Sequence, residues 1–431
     1  MHIFKGKANL IKDHQIYHTV NSNKLQINVS KDHIRNPKGE VFIDFNHHHE
    51  KNRFKKKKTF AYINNPEGKM QWIFPINLQK PLFLDSPFSD QYNYFQRNLI
   101  QCSYKTGLKS LIRDGIFTVY YDSTLYLEEI LNYFSYTEYL ISASFDSWLK
   151  TIYITTFTNS KPEFHIKLAM NAIALGNIFN EYNILKKLNR ETYQYFNVPG
   201  CLQFEDQNFI IRRDQANCES EVSPEISRKH VLALNELYRE SLDHQYLSQL
   251  LQECNIRLKY VEKLIRTRPV NVINRILNKT NQLMNSLSPF DQLIPVGLMN
   301  GNFAPPNIGN DDKITLFNWE LASYDKPLLS DLFHYVMINK SKDGGCFEDV
   351  KNEIDRLYQQ TYVRALVQSY QIDYFLHFQL YLLGEISYHL PFLVEEIDFL
   401  TTGAKNNMNI WLQALEAMVP DRKPVGKQLT K

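Results

Sequence analysis

Apolar residues recur with a period of two through the first half of the chain and near 3.6 through the second. Val41–Phe45, Thr59–Ile63, Gln71–Ile76 and Ile116–Tyr121 are short runs rich in branched and aromatic residues, which predicts strands. Ser86 and Ser89 are suited to cap a helix from Asp90 to Arg113, stopped by Gly115, and Thr124–Phe134 reads as a short helix. Leu140–Phe145 and Thr151–Phe157 predict paired strands, and the turn Thr158–Pro162 leads into a third, Glu163–Ala169. Alternation in that strand puts Phe164, Ile166 and Leu168 on one face and His165, Lys167 and Ala169 on the other. Leu175, Ile178, Phe179, Tyr182, Leu185 and Leu188 then share a helical stripe with Glu181 beside it, and strands follow at Cys201–Phe204 and Asn208–Arg212.

Beyond Ser223, read as a cap with Pro224 in the first turn, helices are predicted at Glu225–Arg239, Leu247–Arg266 and Val270–Leu287. Later ones fall at Phe347–Tyr370, Tyr374–Leu390, Phe392–Leu400 beyond the break at Pro391, and Asn409–Met418. A strand-rich part followed by a helical part predicts an α+β chain.

Composition narrows the classes. The 431 residues are 22% charged and 43% hydrophobic, an ordinary globular balance long enough for two or three domains. A net charge of +3 gives no field that would recruit nucleic acid. The five cysteines are odd in number and scattered, which argues against a disulfide framework or a zinc site. Met1–Leu10 lacks the apolar stretch of a secretion signal, and no apolar run reaches membrane-spanning length. A reducing, cytoplasmic location without a transmembrane segment is therefore expected. His47–His49 cannot converge from neighbouring positions and predict an exposed loop, not a metal site; Lys55–Lys58 predict a solvated loop between two strands.

The chemistry gathers late in the chain. Asn300-Gly-Asn302-Phe-Ala-Pro-Pro-Asn307 precedes a polar turn at Gly309–Lys313, a short strand, and Phe317-Asn318-Trp319-Glu320. This order resembles the catalytic core of the aminoglycoside phosphotransferase family, a branch of the protein-kinase-like fold, whose loop reads H-G-D-x-x-x-x-N ahead of a strand ending in Asp-Trp-Glu. Asn300 stands at the family's His, Asn302 at the Asp that accepts the substrate proton, and Asn318 at the Asp that holds magnesium. Asn307 matches the second metal ligand of the pattern, and Glu320 is nominated as a substitute one. The resemblance implies that Asp331 ties the following helix back to the loop. Upstream, the strand–helix–Val-Pro–strand order resembles the family's small lobe. It implies that Lys167 grips nucleotide phosphates and that Glu181 pairs with it. The loop Ser142–Trp148 lacks the glycine the family often places over the phosphates.

The resemblance implies a two-lobed kinase-like fold: an accessory segment over 1–138, a small β-rich lobe over 139–214 and a helical large lobe over 215–431. It implies ATP and Mg2+ as ligands and a small hydroxylated acceptor of the sugar or aminoglycoside type. An amide at position 302 cannot accept a proton at neutral pH, and amides at 307 and 318 bring no charge to a cation. A catalytically degenerate, pseudokinase-like homologue is thus one reading, acting by binding a nucleotide, a sugar-like ligand or a partner enzyme. An active phosphotransferase with relocated acids is the other. The stretch Trp72-Ile-Phe-Pro75 to Pro81-Leu-Phe-Leu84 resembles leaders of kinase-like proteins associated with bacterial surface-polysaccharide synthesis. No G-x-S-x-G, H-E-x-x-H, Walker or G-x-G-x-x-G pattern supports a rival reaction class.

Overall fold

Alternating Val, Ile, Phe and Tyr residues in the first half pair into one antiparallel sheet, because period-two patterning lets both faces be covered. The computed structural model describes residues 34–36, 39–44, 56–64, 70–78, 80–85, 94–108, 110, 112–121, 131, 138–143, 151–158, 161–169, 172–203, 209–213, 225–267, 270–310, 312–395, 397 and 400–419. The chain forms two units: Met1–Glu191 with Val198–Ser220, and Thr192–Asn197 with Glu221–Lys431. The first is strand-rich and the second largely helical, the α+β order expected of a kinase-like chain.

In the first unit the strands are β1 (Ile34–Asn36), β2 (Gly39–Asp44), β3 (Lys56–Asn64), β4 (Met70–Pro75), β5 (Gly115–Tyr121), β6 (Glu138–Ala143), β7 (Thr151–Thr158) and β8 (Lys161–Ala169). With β10 (Cys201–Gln203) and β11 (Phe209–Arg213) they form a ten-stranded sheet in the order β1-β2-β5-β3-β4-β6-β7-β8-β11-β10. The sheet runs unbroken past residue 138, since Trp72 of β4 pairs with Ser142 of β6. Helix α1 (Tyr94–Lys105) and the turn Leu82–Asp85 contribute to a core of Trp72, Phe74, Phe83, Ile100 and Leu140. Helix α2 (Ala172–Leu188) packs Ala174 and Ile178 against Ala169 of β8.

Several expectations change here. Lys56–Lys58 are not a loop: they open β3 opposite Tyr121, Tyr120 and Val119. Their long stems let charged heads reach outward from a paired strand, and the Lys58 amine lies 5.2 Å from the Tyr139 ring centroid. Helix α1 stops ahead of Gly107, whose φ of 78° supplies the left-handed turn, so Gly115 begins β5 instead. Of the loop expected at Ser142–Trp148, Ser142 and Ala143 belong to β6 instead. His47–His49, 144–150 and the helix expected at Thr124–Phe134, apart from Leu131, lie outside the described residues.

The second unit contains β9 (Phe196–Asn197), α3 (Arg228–Ser241), β12 (Asp243–Tyr246), α4 (Leu247–Thr267), α5 (Asn271–Leu287), β13 (Leu293–Met299), β14 (Ile308–Asn310), β15 (Ile314–Leu316) and β16 (Ser323–Pro327). Helices α6 (Ser330–Lys342), α7 (Phe347–Tyr358), α8 (Thr361–Ser369), α9 (Tyr374–Glu395) and α10 (Thr402–Met418) complete it. Two small sheets, β12-β13-β16 and β14-β15-β9, hold the loop at Asn300 between their strands. Ser227, not Ser223, caps α3. Pro391 does not end α9, because Leu390 and Val394 continue its buried stripe and offset the lost backbone bond, about 3 kcal/mol. Thr401 starts α10 earlier than expected by accepting the Ala404 N–H at 3.1 Å. Among the described residues no helix is long and apolar enough to cross a membrane.

Candidate functional site

In the strand-rich unit, Tyr153 of β7 stands directly across from Lys167 of β8. The lysine amine lies 5.7 Å from the tyrosine ring centroid and donates to Glu181 Oε2 at 2.5 Å. Both charged side chains are fully removed from solvent. Glu181 therefore lies within the buried stripe of α2, not beside it, and the exposed Phe179 lies off it. Chain geometry explains the shift: the stripe is centred on Ala174, Ile178, Glu181 and Leu185. Burying two ions costs several kcal/mol each, and a short pair recovers this only with good geometry. The pair fixes the position of one ammonium on a strand.

The helical unit holds the loop. Asp331, at the start of α6, is buried and accepts the Asn300 N–H at 2.7 Å and the Gly301 N–H at 2.9 Å. Burial pushes its carboxyl up, opposed by those two bonds and then by the charges of Lys326 and His334. Gly301 has a φ of 76°, and a Cβ there would stand 2.3 Å from the Leu321 carbonyl oxygen, so only glycine fits. Asn300 Nδ2 donates to the Phe317 carbonyl at 3.0 Å, and its Oδ1 accepts the Asn302 N–H at 3.1 Å. Asn300 thus ties the loop to the strand end at Phe317.

Asn302, Asn307 and Asn318 come together in this unit. Asn307 Nδ2 donates to the Asn302 carbonyl at 2.8 Å, and the Phe317 N–H donates to the Asn307 carbonyl at 2.9 Å. Asn318, at a left-handed φ of 55°, donates from Nδ2 to Asn307 Oδ1. Glu320 is buried in the turn Trp319–Leu321 that follows.

These residues do not fit a strongly held Mg2+. The Asn307 side-chain oxygen is taken up by the Asn318 amide, and neither residue carries charge. Turning over the Asn318 amide would face two neutral oxygens toward each other, a weak site for a hard cation. Among the described residues no group of three His, Cys, Asp or Glu could hold a metal ion.

Two neighbours of the loop escaped sequence reasoning. His230 of α3 packs edge-on to Phe303, with ring centroids 6.0 Å apart, and accepts the Ser227 N–H at Nδ1 over 3.1 Å. Burial, then the Lys229 charge, pushes its imidazole down to about 4. Lys326 of β16 brings its amine to 2.9 Å from where a Gly301 Cβ would lie. Neither position belongs to the quoted motif; the β13–β16 pairing that places Lys326 joins segments whose strand pattern is too short to read.

No protein-family model and no curated protein matches the chain. Solved structures do. A ternary complex of streptomycin, ATP and APH(2″)-IIa is 12% identical with a TM-score of 0.42, over 68% of this chain and 97% of that one. Macrolide 2′-phosphotransferase type I is 11% identical with a TM-score of 0.40, over 68% and 96%. Choline kinase from Cryptosporidium parvum is 11% identical with a TM-score of 0.41, over 66% and 90%. The chain is structurally similar to these phosphotransferases and this kinase.

Proposed function

We propose that this chain is an aminoglycoside-phosphotransferase-like protein that binds a nucleotide and is degenerate in catalysis, in the manner of a pseudokinase. The observation that carries the reading is the hydrogen bond from Asn318 to Asn307, at two positions that the motif assigns to the metal. A phosphotransferase needs a carboxylate to take the acceptor proton and charged oxygens to hold magnesium across the phosphates. Asn302 supplies no base, and the amide pair supplies no charge. Loss of the base alone removes roughly 10²–10⁴ in rate.

Lys167, locked by Glu181, is the residue we assign to the nucleotide phosphates. The loop around Asn302 then serves binding of a ligand, with a sugar-like molecule or a partner enzyme as the second component. The leader at Trp72–Leu84 favours a setting in surface-polysaccharide synthesis. A cytoplasmic location follows from the same reading. The burial of Glu320 beside Asn318 favours a second reading, in which this acid replaces the missing carboxylates and slow transfer to a small hydroxylated acceptor survives. Calorimetry with ATP, with and without Mg2+ or Mn2+, tests the first reading, and a transfer assay on a panel of sugars and aminoglycosides tests the second. Binding without transfer supports degeneracy; transfer that Glu320→Gln abolishes supports the relocated acid.

A further inference from the structure

The turn that would hold a cation in a phosphotransferase has a cation of its own. Lys326 lies in β16 opposite Gly297, partly exposed, and its amine rests against Gly301. Among the described residues its ammonium makes no hydrogen bond or ion pair, though its charge acts on the Asp331 carboxylate. The acids nearest in the chain do not neutralise it by contact. Asp331 spends its two carboxylate oxygens on the Asn300 and Gly301 N–H groups. Asp325 is exposed and accepts the Gln245 amide at 3.0 Å. Glu320 is buried in the turn beyond Asn318. The side chains of Asn300, Asn302, Asn307 and Asn318 are all neutral. A divalent cation brought to this turn meets an ammonium and neutral amides over the buried Asp331 carboxylate, while a phosphate oxygen meets the ammonium and the half-buried side-chain amides of Asn302 and Asn318, the Asn300 and Gly301 N–H groups being held by Asp331.

We infer that the Asn300–Asn302 turn with Lys326 is an anion site that receives phosphate groups without a metal ion. The inference rests on the reading that the chain binds a nucleotide, and it deepens that reading: the ligand is a metal-free di- or triphosphate. The ammonium of Lys326 takes the place of the divalent ion in neutralising the phosphates. No bond is made or broken.

The test is calorimetry on the full chain with ADP, ATP and inorganic tripolyphosphate, each in EDTA and in excess Mg2+. The wild-type protein is expected to bind ATP in EDTA at least as tightly as with Mg2+. K326A should weaken binding on the order of tenfold, the loss typical of one charge-assisted contact, and K326R should retain it. K326E should make ATP binding dependent on Mg2+, a reversal that mere loss of packing would not produce. K326Q, which keeps much of the stem, guards against misfolding of K326A, with a thermal melt for every variant. ATP binding that requires Mg2+ in the wild type, or that K326A and K326Q leave unchanged while K167A abolishes it, overturns the inference and leaves the nucleotide reading standing. Lys326-dependent binding of tripolyphosphate without binding of either nucleotide supports the inference and overturns that reading. No binding of any of the three overturns both.

Discussion

The Asn318 side chain donates its amide hydrogen to the Asn307 side-chain oxygen, so two residues that the motif assigns to a cation hold one another. The contact fixes the strand end at Phe317 to the loop at Asn302 through neutral groups alone. A charge placed there should reveal what the amides replaced. Asn318→Asp would set a carboxylate oxygen against the Asn307 oxygen and lose the donated bond, a cost of roughly 1–3 kcal/mol. We expect its melting temperature to fall by several degrees in EDTA and to recover with millimolar Mg2+, while the wild-type melt ignores the metal. A wild-type melt raised by Mg2+ would show that the amide pair opens to bind it.

The Lys167–Glu181 pair makes a sharper stability prediction. Lys167→Met takes the ammonium away from a carboxylate that is wholly out of solvent, and removal of one partner of such a pair costs about 3–5 kcal/mol. The double variant Lys167→Met, Glu181→Leu removes both charges of the pair and should lose much less. Urea unfolding of both variants checks this. Equal losses would mean that the carboxylate finds other compensation.

Gly301→Ala should unfold the loop region. Its φ of 76° disfavours any Cβ, and the Leu321 carbonyl stands 2.3 Å from where that Cβ would lie. Strain at such a backbone position costs about 1–3 kcal/mol before the clash is counted. Hydrogen exchange at the Asn300 and Gly301 amides, now held by Asp331, should accelerate in the variant if it folds at all.

Acid should loosen the support beneath the loop. His230 is held down to about 4, against 6.5 when unfolded, because burial disfavours its charged form. Between those values the unfolded chain binds the extra proton. The histidine's contribution is therefore complete above pH 6.5 and is lost as pH falls toward 4, by about 3 kcal/mol in all. Protonation also removes the Nδ1 lone pair that accepts the Ser227 N–H. His230→Asn keeps an acceptor without titrating, so its stability should fall less steeply over this range. Parallel pH profiles for wild type and variant would sever His230 from the acid response.

How much of this was legible beforehand depends on the range of the interactions. The strand–helix order around Lys167 and the hairpin at Ile308–Leu316 follow from local periodicity and turn chemistry, which the chain carries residue by residue. The burial of Glu181 did not: its place in the α2 stripe depends on the sheet behind it, and a charged residue reads as surface until its partner is known. The start of α3 lies beyond the expected cap Ser223 because Ser227, whose N–H is accepted by His230 Nδ1, caps the helix, and that contact is not announced by the local sequence. Pro391 misled because tertiary burial of Leu390 and Val394 outweighed a local helix breaker. Lys326 was missed for the plainest reason. It reaches Gly301 through a long-range pairing of strands, Val296 with Pro327 and Met299 with Ser323, and neither strand announces itself in sequence.

The central claim is that the chain binds a nucleotide and does not turn it over. The most direct measurement follows the labelled γ-phosphate of ATP, with Mg2+ and with Mn2+, in the presence of sugars and aminoglycosides. Wild-type protein should release or transfer none above buffer. Asn302→Asp and Asn318→Asp should each remain inactive, and only together should they produce turnover, because base and metal act on one transition state. Robust turnover by the wild-type protein, abolished by Lys167→Ala, would contradict the account.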